Sequence, residues 1–296
     1  MPAAPLARRL RWALEGAALW TCYGVVALVG IDAASAIAGR LARAMGPRLG
    51  ISRKARRNLA RAFPDKPPAE IEALIHGMWD NLGRTMGEFA HLDRIRTRGP
   101  GARIELVGEE NIELLKHDGR PGIAFAAHLG NWELGALVSA LHGLPVTLVY
   151  RQANNPHAER LIRRCRRPVG GELVPKGAVA ARRITEVMRS GGHLGMIVDQ
   201  KTNNGIPAPF FGREVMTTPI LAMCALKYDC PLVPVQVERL RGARFRVTVH
   251  PPLRVRATGD RDADVRAITA AMNATIEHWI RHRPEQWMWL HRRWQD

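Results

Sequence analysis

Residues 123–141 read IAFAAHLGNWELGALVSAL and contain a strand, a turn and a helix in that order. Ile123–Ala127 is an unbroken apolar run of strand length, which suits a strand covered on both faces. Gly130 lets the chain turn and Asn131 can cap the next helix. Trp132–Leu141 then carries helical apolar spacing and is closed by Gly143 and Pro145. His128 ends the strand, and Glu133 falls in the first helical turn, where the helix dipole favours its charge.

Downstream of this unit the same alternation continues. Val146–Tyr150 is strand-like, Pro156–Arg166 helical, Glu172–Val174 a short strand and Val179–Arg189 helical. His193–Val198 is a further strand, Thr218–Lys227 a helix, Leu232–Val237 and Phe245–Val249 a late strand pair, and Asp264–His282 a final helix. Upstream, Ile71, Leu74, Ile75, Met78, Leu82, Met86 and Phe89 recur at helical spacing. They mark an amphipathic lead helix over 69–92 after the Pro67-Pro68 break. Thr97-Arg98-Gly99-Pro100-Gly101 is a turn and a boundary. The expected fold is therefore α/β: a central, mostly parallel sheet covered by helices, with a helical membrane-associated region at the N-terminus. The expected division is a basic, apolar portion at 1–62 and an α/β domain at 63–296 whose sheet begins near residue 100.

The 296 residues are 46% hydrophobic and 24% charged, values that exclude a disordered or low-complexity chain. Forty-four Lys and Arg against 27 Asp and Glu give a net charge of +17, which points to anionic partners. Only six of the cations are lysines, so an Arg/Ala-rich composition is the plain alternative explanation. Residues 1–62 alone carry +9, and within them Gly16–Ile31 (GAALWTCYGVVALVGI) holds no charge. Its sixteen residues fall short of the roughly 20 needed to span a bilayer. Arginines flank both sides, at Arg8, Arg9 and Arg11 and at Arg40, Arg43 and Arg48, so no orientation can be assigned. The basic chain continues without a small-residue cleavage site, which disfavours a signal peptide. Membrane association is the expectation, as a span or as an interfacial helix, against the alternative of a buried core helix. Arg53-Lys54-Ala55-Arg56-Arg57 suits anionic headgroups. The four cysteines form no CxxC pair, which argues against a zinc ribbon, a thioredoxin motif or a disulfide scaffold.

Ligands of open α/β sheets bind beyond the carboxyl ends of the strands, so chemistry is expected at the strand ends. A turn like the one after Ala127 can return Glu133 to His128. The carboxylate then orients one ring nitrogen and leaves the other as a general base toward an alcohol. A structural turn histidine is the alternative. The His-x4-acid spacing alone has little value, since roughly one chance match is expected and His291 with Asp296 supplies another. Other schemes fare worse. None of the four serines lies in G-x-S-x-G, and neither a P-loop nor G-x-G-x-x-G occurs. His278 and His282 are spaced for a metal but lack the HExxH glutamate, so no metal site is expected. Trp287, Trp289 and Trp294 read as packing, at most at a membrane interface, rather than as nucleic-acid stacking. Two further strand ends carry polar groups. Arg151 could hold a phosphate or a developing oxyanion, and Asp199 could orient Arg151 or an acceptor hydroxyl. A surface salt bridge is the alternative for each. Pro209–Gly212 with Thr217 and Thr218 offers an apolar wall and a hydroxyl-capped helix start. Arg160, Arg163, Arg164 and Arg167 share one helix face that could dock an acidic partner, lipid phosphates or only solvent.

Taken together, MWDNLGRTMGEF (78–89), AAHLGNWE (126–133), VYRQANNP (149–156), VDQKTNNGIPAPFFGR (198–213), CPLVPV (230–235) and PEQWMWLHRRW (284–294) resemble the lysophospholipid acyltransferase superfamily. Within it they are most similar to the late acyltransferases of lipid A biosynthesis. The resemblance runs from about residue 8 almost to the end, and Glu133 at the motif's last position matches the lipid A branch, where the glycerolipid branch usually has Asp. It implies transfer of a fatty acyl group from acyl carrier protein to a hydroxyl of a lipid A precursor resembling Kdo-lipid IVA. The implied location is the cytoplasmic face of the bacterial inner membrane. The family's histidine and acid map onto His128 and Glu133, and its strand-end arginine and aspartate onto Arg151 and Asp199. Backbone amides near Gly130 and Asn131, or Arg151, would hold the oxyanion. Neither a metal nor an organic cofactor is implied. Related enzymes acylate glycolipid mannosides, which leaves another membrane lipid open as acceptor. A non-enzymatic, membrane-bound polyanion-binding protein is the competing class, and no DNA- or RNA-binding motif supports it.

Overall fold

Seven strands form one sheet in the order β1-β9-β8-β2-β5-β3-β4 in a computed structural model that describes residues 5–294. They are β1 (Ile104–Val107), β2 (Gly122–Ala126), β3 (Thr147–Tyr150), β4 (Leu173–Pro175), β5 (His193–Ile197), β8 (Leu232–Arg241) and β9 (Arg244–Val249). All neighbours pair in parallel except β8 and β9, a hairpin that reverses the direction of β9 and of β1 beside it. The centre of the sheet is thus parallel and one edge is reversed. Short β1 and the helix after it, α5 (Glu109–His117), are elements that the apolar pattern does not reveal.

The sheet is covered on both faces. One core combines α3 (Ser52–Ala62), α4 (Pro68–Phe89), α8 (Ala178–Arg189), α9 (Ile220–Tyr228) and α10 (Arg261–His282) with Trp287, Trp289 and Trp294. The other packs α5 and α6 (Glu133–Leu141) on β8 and β9. The three tryptophans are buried and pack into this core. Helix starts follow their chemistry. Pro68 opens α4, Asn155 caps α7 (Pro156–Cys165) by accepting from His157 N–H at 2.9 Å, and Asp260 caps α10.

Between β5 and α9 lies a separate hairpin, β6 (Ile206–Phe210) with β7 (Arg213–Thr217), where the sequence pattern marks only an apolar wall. Pro207 and Pro209 obscure it in the sequence. In a two-stranded ribbon alternate N–H groups face outward, so two prolines spaced by two cost no ladder hydrogen bond. Its turn places Phe211 and Gly212 at φ 51° and 68°, the left-handed pair that a two-residue hairpin needs.

The uncharged run at the N-terminus breaks in two. α1 (Leu6–Leu28) ends and α2 (Ile31–Met45) begins inside it, and no described helix is long and apolar enough to cross a membrane. α2 packs along α4, where Gly83 and Gly87 let its backbone approach. α1 lies on α7. Gly16 meets the His157 side chain, Asn155 Nδ2 donates to Trp12 O at 3.0 Å, and Arg164 stacks on Trp20 and Tyr23.

Candidate active site

The register of β2 with β5 builds the site. Ala126 pairs with Ile197, so the residues two positions on, His128 and Asp199, emerge side by side at the same sheet edge. Asp199 is fully buried and accepts three hydrogen bonds. His128 Nδ1 lies 2.8 Å from Oδ1, while Oδ2 takes the His128 backbone N–H at 2.8 Å and the Trp287 indole N–H at 2.7 Å. A carboxylate only accepts, so this network assigns the imidazole proton to Nδ1 and leaves Nε2 as the basic nitrogen. Burial works to raise the Asp199 carboxyl. The attraction of His128 and its hydrogen bonds outweighs that and holds the group far below the usual carboxylate range. Around the ring stand Trp132, edge-on at 5.2 Å between centroids, and Gln200, whose Nε2 is 3.4 Å from His128 Nε2.

Glu133 goes elsewhere. It occupies the first turn of α6, but both its oxygens are engaged by Arg166, at 2.8 and 2.6 Å, and Oε1 also accepts from Trp132 Nε1. Among the described residues no hydrogen bond or ion pair joins it to His128, so the acid that meets the imidazole is Asp199. The geometric reason is that the turn 127–132 bends against β8. Gly130 adopts φ 58°, and a Cβ there would lie 2.5 Å from Val237 O. Arg166, held beneath Phe89 and Tyr150, fills the space on the far side of α6.

The remaining expected site residues separate in the same way. Gly130 N–H donates to Gln286 O at 3.1 Å, so that amide is already spent. Asn131 is buried. Its Oδ1 accepts from Glu133 N–H and its Nδ2 donates to Glu88 Oε2, which places it in the frame behind the loop. There Arg239 pairs with Glu88 and also reaches Asn81 and Thr85. Arg151 is exposed just after β3, and Asp199 does not orient it. Thr217 is buried and accepts from Asn273 and Arg293 instead of capping a helix. Thr218 is the residue that reaches forward, to Ile220 N–H at 3.5 Å. α7 stops at Cys165, so Arg167 falls in the turn after it. Arg163 pairs with Glu159 and Arg164 reaches Trp20 and Tyr23 of α1, and Arg160, Arg163, Arg164 and Arg167 are all exposed. Asp296, of the second His-x4-acid match, lies outside the described residues. His278 and His282 lie against each other at the surface.

Behind α6 an apolar slot runs against the sheet. Ala124, Ala126, Gly135, Ala136 and Gly195 keep it open, and polar side chains enter its lining only at Glu133, Ser139, Tyr150 and Arg166 beside the aromatic Trp132. His128, Asp199 and His291 also bring donor atoms within 4.8 Å of one another. An indole N–H directed at Asp199 Oδ2 opposes a cation at that oxygen, so the trio has the chemistry of a hydrogen-bonded base.

Fold and motif blocks together describe an α/β protein whose central strand leads into H-x4-E beside an apolar slot. Among known families, the model of bacterial lipid A biosynthesis acyltransferases matches residues 6–296, and the chain belongs to that family and is an acyltransferase. It is 27% identical to the lipid A biosynthesis myristoyltransferase of Escherichia coli (strain K12), over 90% of this chain and 84% of that one. It is 25% identical to the palmitoleoyltransferase of the same strain, over 81% and 77%, and 27% identical to acyltransferase 2 of Shigella flexneri, over 81% and 77%.

Proposed function

We propose that this enzyme transfers a fatty acyl group from an acyl-carrier-protein thioester to a hydroxyl of a lipid A precursor at an anionic membrane surface. The observation that carries this reading is the His128–Asp199 pair beside the apolar slot. In the step, the acceptor oxygen attacks the thioester carbon while His128 Nε2 takes its proton. The C–S bond then breaks, and the departing sulfur takes the proton back from the imidazolium, which Asp199 has stabilised meanwhile. Glu133 contributes by holding Arg166 at the slot, and Arg151, exposed at the neighbouring strand end, serves an anionic group of the substrate. Among the described residues no serine or cysteine bonds to His128, which favours direct transfer over an acyl-enzyme.

The N-terminal portion supports the membrane side of this reading. α1 turns Leu6, Leu10, Leu14, Val25 and Leu28 outward, α2 adds Ile37, Leu41 and Met45, and arginines flank both. This arrangement suits an interfacial anchor. The test incubates purified enzyme with acyl-acyl carrier protein and a Kdo-lipid IVA-like acceptor and weighs the product by mass spectrometry. A product heavier by one acyl group, absent with His128→Ala, is expected. Transfer to a lysophospholipid or mannoside alone would replace the acceptor, and near-wild-type turnover by folded His128→Ala would overturn the mechanism.

A further inference from the structure

We propose that Trp287, from the C-terminal segment, is a positioning residue for the base: its indole N–H fixes the Asp199 carboxylate in the rotation that presents Oδ1 to His128 Nδ1. The inference rests on His128 acting as the base, as proposed above.

Of the three donors on Asp199, two belong to His128 itself. Trp287 is the one that comes from a different segment of the chain. A carboxylate held only by one loop can turn with it, whereas a third donor from another part of the chain fixes it in place. The indole is itself clamped. Trp287 is wholly buried, lies edge-on to Trp289 at 4.5 Å and touches Phe210. Its backbone bridges to Leu129, Met288 N–H donates to His128 O at 3.1 Å, and Gln286 receives Gly130 N–H while exchanging two hydrogen bonds with Arg239. The segment therefore holds both halves of the pair: the histidine loop through its backbone, and the aspartate through one indole. Trp289 provides an internal contrast. Its N–H, in the same aromatic cluster, goes to Pro284 O at 2.7 Å and has no part in the base.

Removing the indole donor leaves Asp199 with fewer hydrogen bonds and a more basic carboxylate, which stabilises the imidazolium and moves the acid limb of the rate profile to higher pH. The other charged or titratable groups facing the pair are His291 and Arg293 from the same segment, with Lys54 of α3 behind His291. They are unchanged in the variants.

The experiment compares wild type, Trp287→Phe and Trp289→Phe by kcat, KM and the pH dependence of kcat/KM, using acyl-acyl carrier protein as donor. The low-field Nδ1 proton of His128 is followed by NMR. Trp287→Phe is expected to lower kcat on the order of tenfold, leave KM within about twofold, raise the acid limb and shift the Nδ1 proton, while Trp289→Phe leaves the limb and the proton in place. Replacing Trp287 by benzothienylalanine, which keeps the bicyclic shape and loses only the N–H, decides the matter if the Phe variant does not fold. A folded Trp287 variant with the wild-type acid limb and Nδ1 proton overturns the proposal. If His128→Ala is inactive in the same assay, that result leaves the function itself standing. Activity retained by His128→Ala would instead overturn the base on which the proposal rests.

Discussion

His128 with Asp199 and Glu133 with Arg166 are both carboxylate contacts of one short stretch of chain, yet they are built for opposite ends. The first commits Nδ1 to Asp199 and leaves Nε2 with only the long 3.4 Å contact of the Gln200 amide, on a side chain that is 17% exposed. In the second both carboxylate oxygens are met: they take a two-pronged guanidinium and an indole, and Arg166 packs against two aromatic rings. A general base needs a lone pair that an incoming hydroxyl can take over, so only the first pair can move a proton in this arrangement. The second can fix a shape. The motif spacing that joins His128 to Glu133 in the sequence thus divides between chemistry and architecture.

Blunting each acid in turn should separate the two pairs most widely. Asp199→Asn is expected to lower kcat on the order of 10³-fold with KM little changed, because an amide no longer selects the Nδ1–H tautomer. Glu133→Gln should instead lower the melting temperature along with activity, and Arg166→Met in the same chain should recover stability. Steady-state kinetics and thermal unfolding check both. A change in the acid limb of kcat/KM with Glu133→Gln, and none with Asp199→Asn, would reverse the two roles.

Next in size is Arg166→Ala. It leaves a buried carboxylate unpaired and should destabilise the fold by about 3–5 kcal/mol, measured by denaturant unfolding. A loss near zero would show that Glu133 finds another partner.

Below it lies an acid-stability effect at His291, whose ring nitrogens are sealed from solvent and meet no hydrogen-bond partner among the described residues. Burial pushes this imidazole down to about 4. The unfolded chain therefore binds a proton through the window from the ordinary imidazole value of 6.5 down to about 4, and the folded chain does not. Stability rises with pH across that window and is lost on acidification by on the order of 3 kcal/mol. His291→Phe should remove this part of the pH dependence in unfolding experiments run on either side of the window, and an unaltered slope would place the titration elsewhere.

The smallest effect concerns the donor. With Arg163 and Arg164 engaged, charge reversal at the exposed Arg160 and Arg167 should raise the KM for acyl-acyl carrier protein a few-fold, less so above physiological salt where the Debye length is about 8 Å. An unchanged KM would exclude α7 and the turn after it as the dock.

Local pattern was enough for the main elements and the chemical inventory. Apolar runs such as Ile123–Ala127 and Leu232–Val237 announce buried strands, helical spacing announces α4, and the H-x4-E turn marks the place to look, because period, length and turn residues are properties of neighbouring residues. The family blocks narrowed the activity further. Elements with a weak local pattern stayed hidden: Ile104–Val107 is only four residues long and interrupted by Glu105, and alternating prolines disguise Ile206–Phe210. Which acid serves His128 was a matter for the folded chain. That depends on β5 lying next to β2 in register, a pairing between segments 71 residues apart that no local spacing encodes. The same is true of Arg166 on Glu133 and of Trp287 on Asp199. Each joins chain segments brought together only when the sheet closes its order and the C-terminal segment packs against the histidine loop.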